Sequence, residues 1–225
     1  MRVAVLWSGG KESCLAFQAA KRQGHDITSL LTFMGDEPLL CHPLPIMSLQ
    51  SKALGVPHIT IRVEEPYLHQ YRDSISQLIR RTGVEGLVTG DICTDIHKQW
   101  MEDVSDGLGV ELIMPLWKID SPRILDAVVS SGFKTIFTCV REPWFHEGWL
   151  GRELDGDCVK DLHVLHRGFG VDLCGENGEY HTSVLDGPIF KRPIHIDEHA
   201  KEKRGSLLFL KVNRCSLSHA KGKEH

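Results

Sequence analysis

The sequence predicts an open α/β fold, a parallel sheet with helices on both faces, followed by a smaller C-terminal α+β part. Three observations predict it. Short apolar, β-branched runs alternate with helix-forming segments through the first half of the chain. Gly24, Gly55 and Gly83 stand just past those segments, where helices commonly end. After Pro115-Leu116-Trp117 the texture changes, which sets the expected boundary between residues 1–118 and 119–225.

The elements follow in order. Val3–Trp7 reads as a buried parallel strand and Lys11–Gln23 as a helix. Asp26–Phe33 is a second strand, and the segment from Pro43 to Leu54 a loop and helix. His58–Val63 alternates into a third strand, Tyr67–Arg81 is helical, and Gly86–Thr89 is a fourth strand stopping at Gly90-Asp91. Asp95–Leu108 is helical, with Asp95 as its expected cap, and Glu111–Met114 is a fifth strand. Ser121–Ser130 is a helix with Ser121 as cap and Pro122 at its first position. Phe133–Val140 is a strand, Trp144–Trp149 loop, Glu153–Leu165 helix and Ser206–Val212 a final strand. Lys221–His225 is expected to be disordered. Ligands of such sheets sit beyond the carboxyl ends of the strands. The loops to inspect are therefore Ser8–Ser13, Met34–Glu37 and Gly90–Asp95.

The totals narrow the classes. At 225 residues, 41% apolar and 25% charged, the chain has ordinary globular composition. No apolar run is long enough for a membrane span, and the short run after Met1 is too brief for a secretion signal. A cytoplasmic protein is expected. Net charge is −4, and the segment from Lys191 onward, with 9 Lys/Arg against 4 Asp/Glu, is basic. The acidic remainder argues against nucleic acid as a partner, and the basic end reads as a solvated tail. Seven cysteines at irregular spacing, without a CxxC, read as reduced thiols rather than a disulfide framework or zinc ribbon.

The strand ending at Trp7 meets Ser8-Gly9-Gly10-Lys11-Glu12-Ser13. A strand entering a helix through two glycines leaves backbone N–H groups bare at the helix N-terminus, and the dipole there favours an anion. Hydroxyls from Ser8 and Ser13 and the charge of Lys11 suit phosphate. A tight turn with a serine cap explains Gly-Gly alone equally well. The spacing is not that of a Walker A loop.

A second dense stretch is Gly175-Glu176-Asn177-Gly178-Glu179-Tyr180-His181-Thr182. Two glycines allow a bend on which carboxylate, amide, imidazole and hydroxyl converge. Glu176 and Glu179 are of a type that binds Mg²⁺ or an amine, and His181 of a type that moves protons at neutral pH. A polar turn into an edge strand is the competing explanation.

SGGKES closely resembles the SGGxDS loop of the ATP pyrophosphatases, with Glu12 where that family usually has Asp. Taken together, SGGKES, Gly90-Asp91-Ile92, Pro115-Leu116-Trp117, Trp149-Leu150-Gly151-Arg152-Glu153 and GENGEYHT resemble the diphthine–ammonia ligase family over nearly the whole chain. The resemblance implies an adenine nucleotide α-hydrolase-type sheet and the chemistry that follows from it. A carboxylate is adenylated by ATP with loss of pyrophosphate, and ammonia displaces AMP. Ser8, Gly9, Gly10, Lys11 and Ser13 would hold the phosphates and Asp91 the nucleotide edge. Gly175, Glu176, Asn177 and Thr182 would form the substrate side, with Glu179 and His181 as catalytic groups. ATP and Mg²⁺ are implied; no residue is assigned as a metal ligand. The carboxylate would be protein-bound diphthine or a small acid, and fold analogy is compatible with a homodimer.

The second motif departs from the EGGEYET of the diphthamide enzymes: Asn177 replaces glycine and His181 glutamate. This resembles the bacterial branch, for which a cobalamin-salvage role has been suggested, so the same chemistry on another acid is one alternative. A non-catalytic ATP-binding module is another, and a tRNA-thiolating enzyme using Cys93 or Cys174 ranks third. Of the thirteen histidines, His195, His199, His219 and His225 read as solvated surface. Trp117, Trp144, Phe145 and Trp149 suit either packing or stacking on a ring.

Overall fold

The computed structural model describes residues 1–35 and 39–218. Part of the Met34–Glu37 loop, the segment Lys221–His225, and His219 and His225 lie outside the described residues. The chain divides into two compact units. One comprises residues 1–8, 12–38 and 56–119, the other residues 9–11, 39–55 and 120–225.

The first half runs β1 (Arg2–Leu6), α1 (Lys11–Arg22), β2 (Asp26–Met34), α2 (Leu44–Leu54), β3 (His58–Arg62), α3 (Tyr67–Thr82), β4 (Gly86–Val88), α4 (Asp95–Ser105) and β5 (Glu111–Ile113). Its five strands make one parallel sheet in the order β3-β2-β1-β4-β5. The order reverses direction between β1 and β4, and that is where an open α/β sheet forms its crevice. Ala4, Leu31 and Leu87 pack with Ile75 and Leu78 of α3 and Met101 and Val104 of α4. Their neighbours Val3, Val5, Leu30 and Val88 alternate to the opposite face and are equally buried. Burial on both faces is the signature of a covered parallel sheet.

The second half runs α5 (Ser121–Ser130), β6 (Lys134–Arg141), a 3₁₀ turn (Glu147–Trp149), α6 (Gly156–Phe169), β7 (Tyr180–Asp186), β8 (Ile194–Arg204) and β9 (Leu207–Leu217). Its strands form an antiparallel sheet in the order β7-β6-β9-β8. Phe145 and Trp149 lie in a buried aromatic cluster with Phe137 and Tyr180, with ring centroids 4.9–6.5 Å apart. Packing inside this unit therefore accounts for those two aromatics.

Several expectations are corrected. The basic C-terminal segment is not a solvated tail as far as Ser218, because residues 194–217 form the β8–β9 hairpin. β8 is an edge strand whose side chains are mostly exposed, so it lacks the apolar alternation that marks a strand in sequence. His195 and His199 are exposed on it. Asp95 is not the cap of α4 but its first residue, and Thr94 precedes it without a side-chain cap bond. Asp120 rather than Ser121 occupies the cap position of α5. The helix expected at Glu153 begins at Gly156, because Asp155 caps it by accepting from the Cys158 N–H at 2.8 Å.

Candidate functional site

The first unit brings two strand-end loops together. Ser8 and Ser13 flank the turn after β1, with their hydroxyl oxygens 3.4 Å apart. Gly90, in the loop after β4, lies so close to the start of α1 that a Cβ there would sit 2.9 Å from the Glu12 carbonyl carbon and 3.0 Å from the Ser13 nitrogen. Only glycine permits that approach. Asp91 follows it, 3.5 Å from His97 Nδ1. Ser13, the α1 N-terminus and the Gly90-Asp91 turn are thus neighbours at the sheet's carboxyl end.

Gly9–Lys11 pack with the second unit, along the free edge of β7. The Val184 N–H donates to the Gly9 carbonyl at 3.0 Å, and the Lys11 N–H donates to Thr182 Oγ1 at 3.2 Å. Gln50 of α2 closes the arrangement, its amide nitrogen donating to the Gly9 carbonyl at 2.9 Å and the Val184 carbonyl at 2.8 Å. Gly9 has φ +73°, and a Cβ there would come within 2.4 Å of Gln50 Oε1. The Lys11 side chain is buried: its ammonium donates to the Cys174 carbonyl at 2.7 Å and lies 4.5 Å from the centre of the Tyr180 ring. Lys11 itself is thereby held on the second motif.

That motif is a turn built around two acids. Glu179 is buried at 3% exposure, and its carboxylate accepts from the Asp172 N–H at 2.9 Å, the Asn177 N–H at 3.0 Å and the Asn177 side-chain amide at 3.2 Å. Asp172 Oδ1 accepts from the N–H groups of Cys174 at 2.8 Å and Glu176 at 3.1 Å. Gly175, with φ +77°, leaves room for no side chain, since a Cβ would fall 2.7 Å from the Tyr180 carbonyl. Glu176 is half-buried and Asn177 exposed at the bend. His181 and Thr182 then alternate along β7, so Thr182 meets Lys11 while His181 projects to the other face. There its ring stands edge-on to His42, 4.9 Å between centroids.

Beside His181 lies a thiol pair. Cys41 and Cys139 have sulfurs 2.9 Å apart, and Cys139 is the β6 register partner of His181. The hydrogen bond with Cys139, assisted by His181 and by the charge of Arg141, holds the Cys41 thiol well below the usual thiol range. The same hydrogen bond, with burial, pushes Cys139 up. Burial, against the charge of Arg152 and with the help of Asp155 and Asp161, raises Cys158 to about 12. All seven cysteines are thiols. The Arg141 side chain borders the motif, 3.1 Å from where a Gly178 Cβ would stand, and its Nε is buried without a hydrogen-bond partner.

Gln50, Asp172, Arg141 and the thiol pair are the residues that sequence reading missed. Gln50 carried a signal, being the polar member of the buried set Ile46, Met47, Gln50, Ala53 and Leu54 on α2. Cys41 and Cys139 carried none, being separated by 98 residues.

The residues fit a nucleotide in part. The N-terminus of α1, the Ser8 and Ser13 hydroxyls and the close-packed Gly90 suit phosphate, while the Lys11 ammonium is directed inward. Among the described residues no group of three His, Cys, Asp or Glu side chains is arranged to hold a metal ion, and the Glu179 oxygens are already engaged. No helix among the described residues is long and apolar enough to cross a membrane.

Comparison with known proteins covers both halves. Residues 1–112 match the diphthamide synthase N-terminal domain and residues 120–217 the diphthamide synthase C-terminal domain. The diphthine–ammonia ligase of Danio rerio is 29% identical, aligned over 88% of this chain and 87% of its own. That of Mus musculus is 24% identical over 96% and 92%. That of Schizosaccharomyces pombe is 27% identical over 96% of this chain but 39% of its own, longer length. A solved chain from Methanocaldococcus jannaschii, described as a predicted subunit of tRNA methyltransferase, is 19% identical over 60% of this chain and 77% of its own, with a TM-score of 0.42. With a family domain matched on either side of residues 113–119, this chain belongs to the diphthamide synthase family.

Proposed function

We propose that this chain is an ATP-dependent carboxylate–ammonia ligase. A substrate carboxylate attacks the α-phosphorus of ATP, pyrophosphate leaves, and ammonia then attacks the acyl carbon to give an amide and AMP. The observation that supports this best is the docking of Gly9–Lys11 on β7, through Lys11 N–H to Thr182 Oγ1 and Val184 N–H to the Gly9 carbonyl. Gly9–Lys11 and the polar second motif thereby lie within one compact unit.

The residue roles follow from chemistry. Phosphoryl transfer of this kind needs positioning and charge stabilisation more than acid–base groups. The α1 N-terminus, Ser8 and Ser13 would orient the pyrophosphate, with Gly9 and Gly10 shaping the turn and Asp91 at the nucleotide edge. Mg²⁺, when bound with ATP, supplies charge neutralisation. Gly175, Glu176, Asn177 and Thr182 form the substrate side. Glu179, with both oxygens accepting N–H bonds, holds the turn. His181, half-exposed, takes the proton that ammonia loses on attack. In this reading residues 1–118 serve the nucleotide and residues 119–225 the acid.

A second reading concerns the acid. His42, His181 and the guanidinium of Arg141, whose Nε is buried without a hydrogen-bond partner, gather at the motif. That surrounding disfavours a substrate with a fixed positive charge, such as the trimethylammonium of diphthine, and favours a small acid without one.

The test is product analysis with labelled ATP, Mg²⁺, ammonium and a panel of carboxylic acids that includes diphthine-bearing elongation factor. AMP and pyrophosphate appearing with one acid only establish the reaction and name the substrate. ADP and phosphate overturn it. Tight ATP binding without cleavage across the panel leaves a nucleotide-binding module. His181→Asn at unchanged amide-forming rate would remove the proton-accepting role.

A further inference from the structure

The thiol pair is not used by the ligase chemistry, and its surroundings are those of a reactive site. Cys41 and Cys139 hold their sulfurs 2.9 Å apart. Cys139 is fully buried and Cys41 half-buried, so a small molecule meets Cys41 first. The Cys41 backbone is pinned, because Thr138 Oγ1 donates to its carbonyl at 2.8 Å. Arg141, two residues beyond Cys139 on β6, brings a guanidinium whose Nε has no partner. Low thiolate affinity for protons, partial exposure, a neighbouring cation and a second thiol within reach together mark oxidant-sensitive cysteines.

We propose that Cys41 and Cys139 form a hydroperoxide-reactive dithiol, in which Cys41 is oxidised and Cys139 resolves it to a disulfide. The Cys41 thiolate attacks one oxygen of a hydroperoxide. The O–O bond breaks, the sulfur gives up two electrons and becomes a sulfenic acid, and hydroxide or alkoxide leaves and takes a proton. The Cys139 sulfur then attacks the Cys41 sulfur, an S–S bond forms, and the sulfenic oxygen departs as water with the Cys139 proton. The sulfurs close from 2.9 Å to the covalent distance of about 2.05 Å. A thiol reductant reverses the step.

The test treats the full chain with one equivalent of hydrogen peroxide and maps cysteines by mass spectrometry of peptides cut without reduction. The expected product is a Cys41–Cys139 cross-linked peptide, with the exposed Cys93 still a thiol. In Cys139→Ser, dimedone is expected to label Cys41 as a sulfenic acid. In Arg141→Met, oxidation of Cys41 is expected to slow about tenfold as the thiolate loses its cation. Oxidation of Cys93 ahead of Cys41, or a peroxide-treated wild-type chain without the cross-link, overturns the proposal. The wild-type map stands by itself if the Cys139 variant does not fold.

Discussion

The backbone N–H of Lys11 donates to the hydroxyl of Thr182 at 3.2 Å, across 171 residues of chain. Both are buried, so the bond works in a poorly screened setting. Thr182→Val keeps the shape and removes the acceptor. It is expected to cost about 1 kcal/mol in urea unfolding and, on the proposed function, to weaken ATP binding about fivefold. Thr182→Ser should restore most of both, measured by denaturation and by calorimetric titration with ATP.

Gly9→Ala places a methyl where Gln50 Oε1 stands, at a residue with φ +73°. The left-handed backbone costs a side-chain-bearing residue about 1–2 kcal/mol, and displacing the Gln50 amide loosens two further hydrogen bonds. A total near 2–4 kcal/mol is expected. Gln50→Ala alone should cost about 2–3 kcal/mol. Because the two residues share one interaction, the double variant should cost less than the sum of the singles, which a double-mutant cycle in urea reads directly.

Glu179→Gln replaces an acceptor of three N–H bonds by a group that must turn its own NH₂ toward one of them. Charged acceptors of this kind are worth more than neutral ones, so a loss of about 2–4 kcal/mol is expected. Glu179→Asp should fail similarly, since the shorter side chain cannot span Asp172 and Asn177. Hydrogen exchange of the Asp172 and Asn177 amides is the site-resolved check: it should accelerate in both variants and stay slow in β6.

The thiol pair gives stability an unusual pH dependence. Cys41 titrates lower folded than unfolded, so its contribution is fully present above the unfolded thiol value of about 8.5 and is lost as pH falls through the lowered one. Cys139 is raised, so its contribution is present below about 8.5 and is lost as pH rises above it. The difference in urea midpoint between wild type and Cys41→Ser should therefore grow from acid toward pH ~8.5 and shrink beyond it. A difference flat across that range would mean that the two sulfurs do not share a proton.

The parallel sheet was legible because its signals are local. Val3-Ala4-Val5, Leu30-Leu31 and Leu87-Val88 are continuous apolar runs, and Gly55 and Gly83 end their helices in the left-handed conformation that glycine suits. The hairpin of residues 194–217 was not, because an exposed edge strand such as Glu198–Arg204 carries charge where a core strand carries alternation. At the site, residue types were readable and their hydrogen-bond partners were not. Lys11 reads as a phosphate ligand, and nothing in the sequence shows that its ammonium donates to the Cys174 carbonyl. Glu179 reads as a catalytic group, and nothing in the sequence shows that its oxygens accept three N–H bonds. Gln50 needs the fold to be seen at all, since its partners lie 41 and 134 residues away.

The free edge of β7 is met at Thr182 and Val184 by residues drawn from far upstream: Gly9 on Val184, Lys11 on Thr182, and Gln50 on Val184. Nearby, the Lys191 N–H is received by the Ala53 carbonyl at 2.9 Å. A fragment beginning at residue 120 would contain every strand of the antiparallel sheet and none of that cover. Its exposed edge would offer unpaired backbone groups to any other extended chain. Such a truncation is therefore headed for intermolecular strand pairing and aggregation, although its own strands, turns and aromatic cluster are all encoded within it.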